Sequence, residues 1–134
     1  MSQIQKIADA WARSWESADS DGFVALFAPG AVYRDDQAGR LSQSPEELHA
    51  FHKHFAEALS DVTLTFSKVF QDGLDACLEW TFTGKHTGVY HGRQPTGKAF
   101  ASPGVSVIRL SEDGRIMSCA DYYDGAAVAR QLGA

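Results

Sequence analysis

Three things are scarce in this sequence: cysteine, clustered basic residues and long apolar runs. Only two cysteines occur, Cys77 and Cys119, and their spacing suits neither a disulfide framework nor a metal-ligand motif. The 12 Lys and Arg residues are scattered among 17 Asp and Glu, which excludes nucleic acid as an expected partner. No apolar run approaches the roughly 18 residues of a membrane-spanning helix, so no membrane partner is expected either.

The chain starts with an amphipathic segment rather than with the apolar block of a signal peptide. We therefore expect a cytoplasmic protein whose two thiols are reduced. The sequence has 134 residues, 44% of them hydrophobic, and it shows no internal repeat. These properties predict a single domain over residues 1–134 with a substantial core.

Apolar residues at helical spacing predict three helices in the N-terminal part of the chain. The first carries one apolar stripe from Ile4 to Trp15, and a short second helix includes Phe27 and ends near Pro29. A short strand is predicted at 31–35 and a polar loop at 36–43. The third helix begins at residues 44–47, Ser-Pro-Glu-Glu, where a capping box is combined with proline at the first helical position.

From Val62 onward the apolar residues alternate, which is typical of strands. Glycines recur at 84, 88, 92 and 97 and indicate that the sheet bends there. Helices followed by long strands predict an α+β fold, with three N-terminal helices over the concave face of a curved, mainly antiparallel sheet. The interior of such a cone is the expected ligand pocket. We predict strands at about 62–70, 75–84, 86–92, 98–110 and 115–123, and a last short helix at 126–132.

The last two strands place one carboxylate in that pocket. If Glu112 and Asp113 form a two-residue hairpin loop, Gly104 faces Asp121, and small residues opposite this carboxylate leave room for a ligand. An apolar surround would raise the pKa of Asp121 toward the range useful for proton transfer. A loop longer by one residue would break this parity. The predicted inner face consists of Gly104, Ser106 and Ile108 against Met117, Cys119, Asp121 and Tyr123.

A second interpretation of Asp121 is an ion pair with Arg93 or Arg109 at the rim of the sheet.

Several runs of this sequence resemble the SnoaL-like polyketide cyclases of the nuclear transport factor 2-like superfamily. They are G-K-H-T-G at 84–88 with Gly92 and P-T-G at 95–97, D-G-R-I at 113–116, D-Y-Y-D at 121–124 and R-Q-L-G at 130–133. The resemblance implies a cone-shaped, cystatin-like α+β fold, a homodimer and no cofactor. It also implies acid/base chemistry of the cyclase, lyase or isomerase type, such as an intramolecular aldol closure, on a small hydrophobic carbonyl compound.

The resemblance assigns the acid/base carboxylate to Asp121. Other members accompany it with Gln and His, where this sequence has Gly104 and Ser106.

Residues 22–35 also resemble ketosteroid isomerases, and Asp35 falls where their catalytic base lies. Trp11 and Val105 occupy the positions of their two oxyanion donors, however, and neither side chain can serve as one, so we reject the isomerase assignment. Asp35 is predicted either to face the pocket or to be an exposed acid at a loop edge. His86 is predicted either to donate a hydrogen bond to substrate or to satisfy backbone groups at the bend.

The catalytic candidates are therefore Asp121, His86 and Asp35. His49, His52 and His54 lack the spacing of a zinc site, so no metal is expected. Both faces of the strand from Val62 to Val69 are partly apolar, which predicts a homodimer through the outer sheet face. The predicted pocket residues are Trp11, Trp15, Tyr33, Phe51, His52, Phe55, Trp80, Gly104, Ser106, Cys119 and Tyr123.

Two functions stay open: an enzyme, or a non-catalytic module whose cone binds a ligand or partner. Convergent donors near Asp121 would favour the enzyme, and a sealed apolar cone would favour the binder.

Overall fold

The computed structural model describes residues 2–133 and contains a six-stranded sheet with four helices in that range. The predicted α+β class is confirmed. The helices are α1 (Gln3–Glu16), α2 (Ser20–Val24), α3 (Pro45–Ala58) and α4 (Gly125–Gln131). The strands are β1 (Phe27–Asp35), β2 (Arg40–Ser42), β3 (Leu59–Asp72), β4 (Asp75–His86), β5 (Ala99–Leu110) and β6 (Ile116–Tyr123).

The strand order is β2-β1-β6-β5-β4-β3, and only the β1–β6 pair is parallel. This arrangement is the predicted mainly antiparallel sheet. Helices α1 and α3 pack on its inner face, where Trp11 and Phe51 both contact the ring of Tyr33 on β1. The aromatic and aliphatic side chains between helices and sheet form one main core cluster, and a smaller cluster consists of Phe100, Val128 and Leu132. No helix within residues 2–133 is long and apolar enough to cross a membrane.

Local sequence signals account for the helix starts. Ser2, Asp19, Ser44 and Asp124 each accept a hydrogen bond at a helix N-terminus through the side chain. At α3 the Glu47 carboxylate also accepts from the backbone N–H of Gln43, at 3.0 Å, so the predicted box closes one residue earlier than its usual form.

Three predicted boundaries are wrong. Phe27 begins β1 instead of ending the second helix, and residues 40–42, predicted as loop, pair with β1 as strand β2. The predicted strand at 86–92 does not form, and residues 87–98 connect β4 to β5 as a loop. In that loop Tyr90 and Arg93 exchange two backbone hydrogen bonds around His91 and Gly92, both at positive φ. A two-residue turn of this kind reverses the chain where the prediction required an extended strand.

The β5–β6 register differs from the predicted one by two residues. The connection at 111–115 is longer than two residues, and Leu110 pairs with Ile116. A connection longer by one residue would by itself turn Asp121 to the outer face of the sheet. A bulge follows at once, however, and returns Asp121 to the inner face. Asp121 consequently lies opposite Ser106 rather than Gly104. Met117 is left at the bulge with 37% of its surface exposed, so its predicted place on the inner face is wrong.

Candidate active site

A cavity of about 80 Å³ lies between the inner face of the sheet, the helices and the 87–98 loop. Its polar lining consists of Asp35, Ser102 and Asp121, and four aliphatic residues complete the wall: Leu59, Leu64, Val128 and Leu132. The rest of the lining is aromatic: Trp11, Trp15, Tyr33, Phe51, Phe55, Trp80, Phe82, Tyr90, Phe100 and Tyr123. A mainly apolar concave site with a few polar groups is the usual form of a small-molecule pocket.

Asp121 receives hydrogen bonds from three side chains around its carboxyl group. The Tyr33 hydroxyl donates to Oδ2, and the Ser106 hydroxyl donates to Oδ1 at 2.6 Å. The Cys119 thiol lies 3.7 Å from the same Oδ1 and is a weaker donor. Asp121 is half-buried by accessible surface, and it lines the cavity. The alternative rim ion pair is not formed: Arg109 pairs with Asp75 at 3.1 Å, and no ion pair of the described residues involves Asp121 or Arg93.

Trp80 determines how Ser106 is oriented. The indole Nε1–H of Trp80 donates to Ser106 Oγ at 2.9 Å, which leaves the single hydroxyl proton of Ser106 for Asp121. The same indole ring lies over Gly104, where a Cβ would come within 2.3 Å of Trp80 Cη2. The predicted space for a ligand beside Gly104 is therefore filled by Trp80.

Asp35 and Tyr123 form a second acid–tyrosine pair across the same two strands. The Tyr123 hydroxyl donates to Asp35 Oδ2 at 3.1 Å, and the backbone N–H of Ala38 donates to Oδ1 at 3.0 Å. Asp35 is 4% exposed and lines the cavity, so the interpretation as an exposed acid at a loop edge is wrong. Because Asp35 and Asp121 are register partners on β1 and β6, the two carboxyl groups lie side by side.

Burial dominates the electrostatics of the site. Desolvation raises the pKa of Asp121 to about 7, helped by the nearby charge of Asp35 and opposed by the hydrogen bonds from Ser106 and Tyr33. Desolvation likewise raises the pKa of Asp35, against the hydrogen bonds from Ala38 and Tyr123. The pKa values of Tyr33 and Tyr123 are raised, again mainly by burial, so both phenols stay protonated and act as donors near neutral pH.

The structure brings many of the predicted residues together around the cavity: Asp121, Asp35, Trp11, Trp15, Tyr33, Phe51, Phe55, Trp80 and Tyr123. Gly104, Ser106 and Cys119 do not line it, in contrast to the prediction. They lie behind the wall, because the side chains of Trp80 and Asp121 stand between them and the cavity. Ser106 and Cys119 act on the site only through their contacts with Asp121.

His86 is outside the cavity lining and buried, so the prediction that it contacts substrate is not supported by its position. Its backbone exchanges hydrogen bonds with Gly97 and Lys98 at the end of the 87–98 loop, and its Nδ1 lies 3.2 Å from the Thr96 hydroxyl. Its ring packs edge-on against Tyr90, which does line the cavity. These contacts correspond to the alternative, structural role.

His52 does not line the cavity either. Its Nδ1 lies 2.7 Å from the Ser20 hydroxyl and its Nε2 lies 3.0 Å from the Ser14 carbonyl oxygen. Burial lowers the pKa of His52 to about 4, so the ring is neutral near pH 7 and donates through Nε2 to that carbonyl. The helical spacing correctly predicted that His52 lies on the buried face of α3. There its ring contacts α1 and α2 instead of facing the pocket.

Several lining residues were missed by the sequence reasoning, among them Tyr90, Phe82, Phe100 and Ser102. Tyr90 was missed because residues 86–92 were predicted as a strand, whereas Tyr90 lies in a loop. Val128 and Leu132 were also missed, although their four-residue spacing on the last helix was a usable signal. Across residues 2–133, no group of three or more His, Cys, Asp or Glu side chains is arranged to hold a metal ion.

A curved sheet closed by helices around an aromatic cavity defines the class of small cone-shaped domains with the ketosteroid isomerase-like fold. The model of the SnoaL-like polyketide cyclase family matches residues 5–132, and the chain therefore belongs to that family. The predicted family is confirmed. No curated protein matches the chain.

Solved structures show the same fold at low sequence identity. A candidate SnoaL-like polyketide cyclase from a Jannaschia species has a TM-score of 0.86 at 19% identity, covering 98% of this chain and 92% of that one. A hypothetical protein from Catenulispora acidiphila with a ketosteroid isomerase-like fold, solved in complex with trimethylamine, has a TM-score of 0.84 at 24% identity, covering 96% and 92%. A candidate polyketide cyclase from Streptomyces antibioticus has a TM-score of 0.79 at 22% identity, covering 99% of this chain and 100% of that one.

Proposed function

We propose that this protein is an enzyme in which Asp121 acts as general acid and base on a small hydrophobic carbonyl compound, with no cofactor. The observation that carries the proposal is a buried carboxyl group that lines the cavity and has a pKa of about 7. A group with such a pKa is present in both protonation states near neutral pH, so it can remove a proton and return it.

In the proposed reaction, ionised Asp121 takes a proton from the carbon next to the substrate carbonyl. The C–H electron pair moves onto the carbonyl oxygen as an enolate, which then attacks a second carbonyl in an aldol closure, eliminates a leaving group or is protonated elsewhere. Protonated Asp121 returns the proton to the product oxygen after aldol closure, to the leaving group after elimination, or to the new carbon position after isomerisation. Tyr33 and Tyr123 are the proposed donors to the enolate oxygen, and a bound carbonyl would take one of them over from its carboxylate.

The alternative is a non-catalytic module that only binds a ligand. It is favoured by the apolar wall of the cavity and by the full engagement of both tyrosine hydroxyls with Asp121 and Asp35. It is also favoured by Gly104 and Ser106, which stand in place of the Gln and His of other members. Gly104 gives space to the Trp80 ring and Ser106 accepts a hydrogen bond from it, so neither is directed at a ligand.

The decisive experiment begins with a thermal-shift screen of small carbonyl compounds, since binding to the native state raises its stability. Exchange of the hydrogens next to the carbonyl for deuterium is then followed by NMR for each compound that binds. Asp121→Asn is expected to slow this exchange by about 10²–10⁴-fold, the usual contribution of a positioned acid/base. Binding should change much less, because the loss lies in the transition state.

Asp72→Asn is the matched control, since Asp72 is exposed at the end of β3. Unchanged exchange in Asp121→Asn would reject the assignment of Asp121. Tight binding without exchange in the wild type, for every ligand found, would establish the alternative.

We also propose that two copies associate through the outer sheet face. The apolar side chains at 62–69, from which this dimer was predicted, pack against the core instead of lying on the outer face. The outer face is crossed by another row of register partners: Phe70, Cys77, Val107 and Ala120. Phe70 is 57% exposed and Val107 50% exposed. An apolar row in the middle of an uncovered sheet supports self-association. The free thiols of Cys77 and Cys119 support the further proposal that the protein works in the cytoplasm.

A further inference from the structure

The cavity contains two carboxyl groups and no basic side chain. Asp35 and Asp121 lie next to each other on β1 and β6, and no Lys, Arg or His of residues 2–133 lines the cavity with them. The ion pairs of the described residues involve other acids throughout. Buried carboxylates are rarely left without a cation, and among residues 2–133 no basic side chain at the cavity neutralises this pair when both acids are ionised, so a cationic ligand would be stabilised there.

The walls around these carboxyl groups suit a cation. Ten aromatic side chains line the cavity, and the π-faces of Trp, Tyr and Phe attract ammonium groups, most strongly where water is excluded. The indole N–H of Trp80 is already bonded to Ser106, so it does not compete as a donor inside the cavity.

The hydrogen bonds to the carboxyl groups indicate which kind of cation fits. Both oxygens of Asp121 accept from the protein, through Ser106 and Tyr33, and both oxygens of Asp35 accept from Ala38 and Tyr123. A carboxylate has about four lone-pair sites, and the three bonds to Asp121 and the two to Asp35 leave only part of them for the three N–H groups of a primary ammonium. A fully alkylated ammonium has no N–H to satisfy, and is held by charge and by aromatic contact with its methyl groups.

We propose that the cavity binds a ligand bearing an alkylated ammonium group, with Asp35 and Asp121 as counter-charges and the aromatic wall around its alkyl substituents. The inference rests on the cavity of the proposed function and deepens it: the carbonyl substrate of that cavity would itself carry the alkylated ammonium group.

The test compares two probes of nearly the same shape that differ in charge, choline and 3,3-dimethylbutan-1-ol. Titration calorimetry at about pH 8 is suitable, because Asp121 is then mostly ionised. The wild type is expected to bind choline at least about tenfold more tightly than the neutral alcohol. Asp121→Asn and Asp35→Asn should each lose most of this preference, whereas Asp72→Asn should keep it.

The inference is overturned if the neutral alcohol binds as tightly as choline, if choline does not bind at millimolar concentration, or if the two cavity variants keep the preference. Asp35→Asn makes the test independent of whether Asp121→Asn folds. Failure here leaves the acid/base proposal standing, because that proposal is tested by deuterium exchange on uncharged carbonyl compounds.

Discussion

At the scale of single residues, the central feature is Asp121, whose carboxyl group is present in both its protonated and its ionised form near neutral pH. Asp121 has an ordinary side chain on an ordinary strand, and it becomes distinctive through burial and through the neighbouring charge of Asp35. Ser106 and Tyr33 partly offset this effect by donating to its oxygens. An aspartate so placed makes the stability of the protein depend on pH.

We expect Asp121→Asn to flatten that dependence. The folded pKa of about 7 lies above the unfolded value of 3.8, so the native state binds more protons between these values. The stabilising contribution of Asp121 is therefore complete below about pH 4 and is lost as the pH rises through 7. The free energy of unfolding of the variant, relative to wild type, should rise by roughly 2–4 kcal/mol between about pH 4 and 8.

Urea unfolding of both proteins across this range measures the difference. His52, whose pKa is lowered to about 4, has the opposite slope, but it is common to both proteins and cancels. Asp72→Asn should follow the wild type. If the difference in the free energy of unfolding between wild type and Asp121→Asn stays constant with pH, the pKa of Asp121 is not shifted by folding.

At the scale of elements, strands β4, β5 and β6 act as one unit that holds the acid. Gly104 on β5 gives space to the Trp80 ring from β4, Trp80 orients Ser106, and Ser106 donates to Asp121 on β6. The bulge after the β5–β6 connection keeps this chain of contacts on the inner face. A change at Gly104 should therefore act through Trp80.

Gly104→Ala is expected to destabilise the protein by about 1–3 kcal/mol, because the new methyl group would overlap a buried, rigid ring. In a Trp80→Leu background the same change should cost much less, since the overlapping ring atoms are gone. A double-mutant cycle by chemical denaturation measures the coupling. Additive effects of the two substitutions would refute the contact.

The 87–98 loop is held against α3 by a close backbone approach. The N–H groups of Thr87 and Gly88 both donate to the Ala58 carbonyl oxygen, and a Cβ on Gly88 would lie 2.0 Å from the Glu57 carbonyl oxygen. Only glycine fits there, and the docked loop brings Tyr90 to the cavity.

Gly88→Ala should undock this loop while leaving the sheet folded. We expect hydrogen-exchange protection of the amides at 87 and 88 to fall by at least about tenfold, with weaker binding of any cavity ligand. Val89→Ala is the control, since Val89 is 52% exposed. Unchanged protection at 87 and 88 in the glycine variant would contradict this account.

At the scale of the whole molecule, the two faces of the sheet have different tasks. The inner face supplies the cavity, and the outer face presents an apolar row that nothing within residues 2–133 covers. This separation allows the assembly state to be changed without altering the cavity.

We expect the wild type to sediment as a dimer at micromolar concentration and Val107→Arg to sediment as a monomer that still binds cavity ligands. The reason is that a charge in the centre of an apolar contact is costly to bury. Val89→Arg, equally exposed but in the loop, should remain dimeric. A monomeric wild type would reject the proposed interface.

Much of this protein is determined by local sequence patterns. Periodicity is a property of neighbouring residues, so it correctly indicated the helices, most strands, the α+β class and the inward direction of the aromatic side chains. The family motifs indicated Asp121. Its position on the inner face was predicted correctly, although the predicted strand partner, Gly104, was wrong.

Tertiary structure decided the rest, because it depends on contacts between distant residues. The bulge that restores the parity of Asp121, the two-residue turn that replaces the strand at 86–92, and the ring of Trp80 over Gly104 all arise from packing. His52 and His86 show the same limit: alternation and helical spacing assign a side chain to the interior, and only the folded chain determines whether that interior is core or cavity. The pKa of Asp121 belongs wholly to this level, since burial and the neighbouring Asp35 exist only after folding.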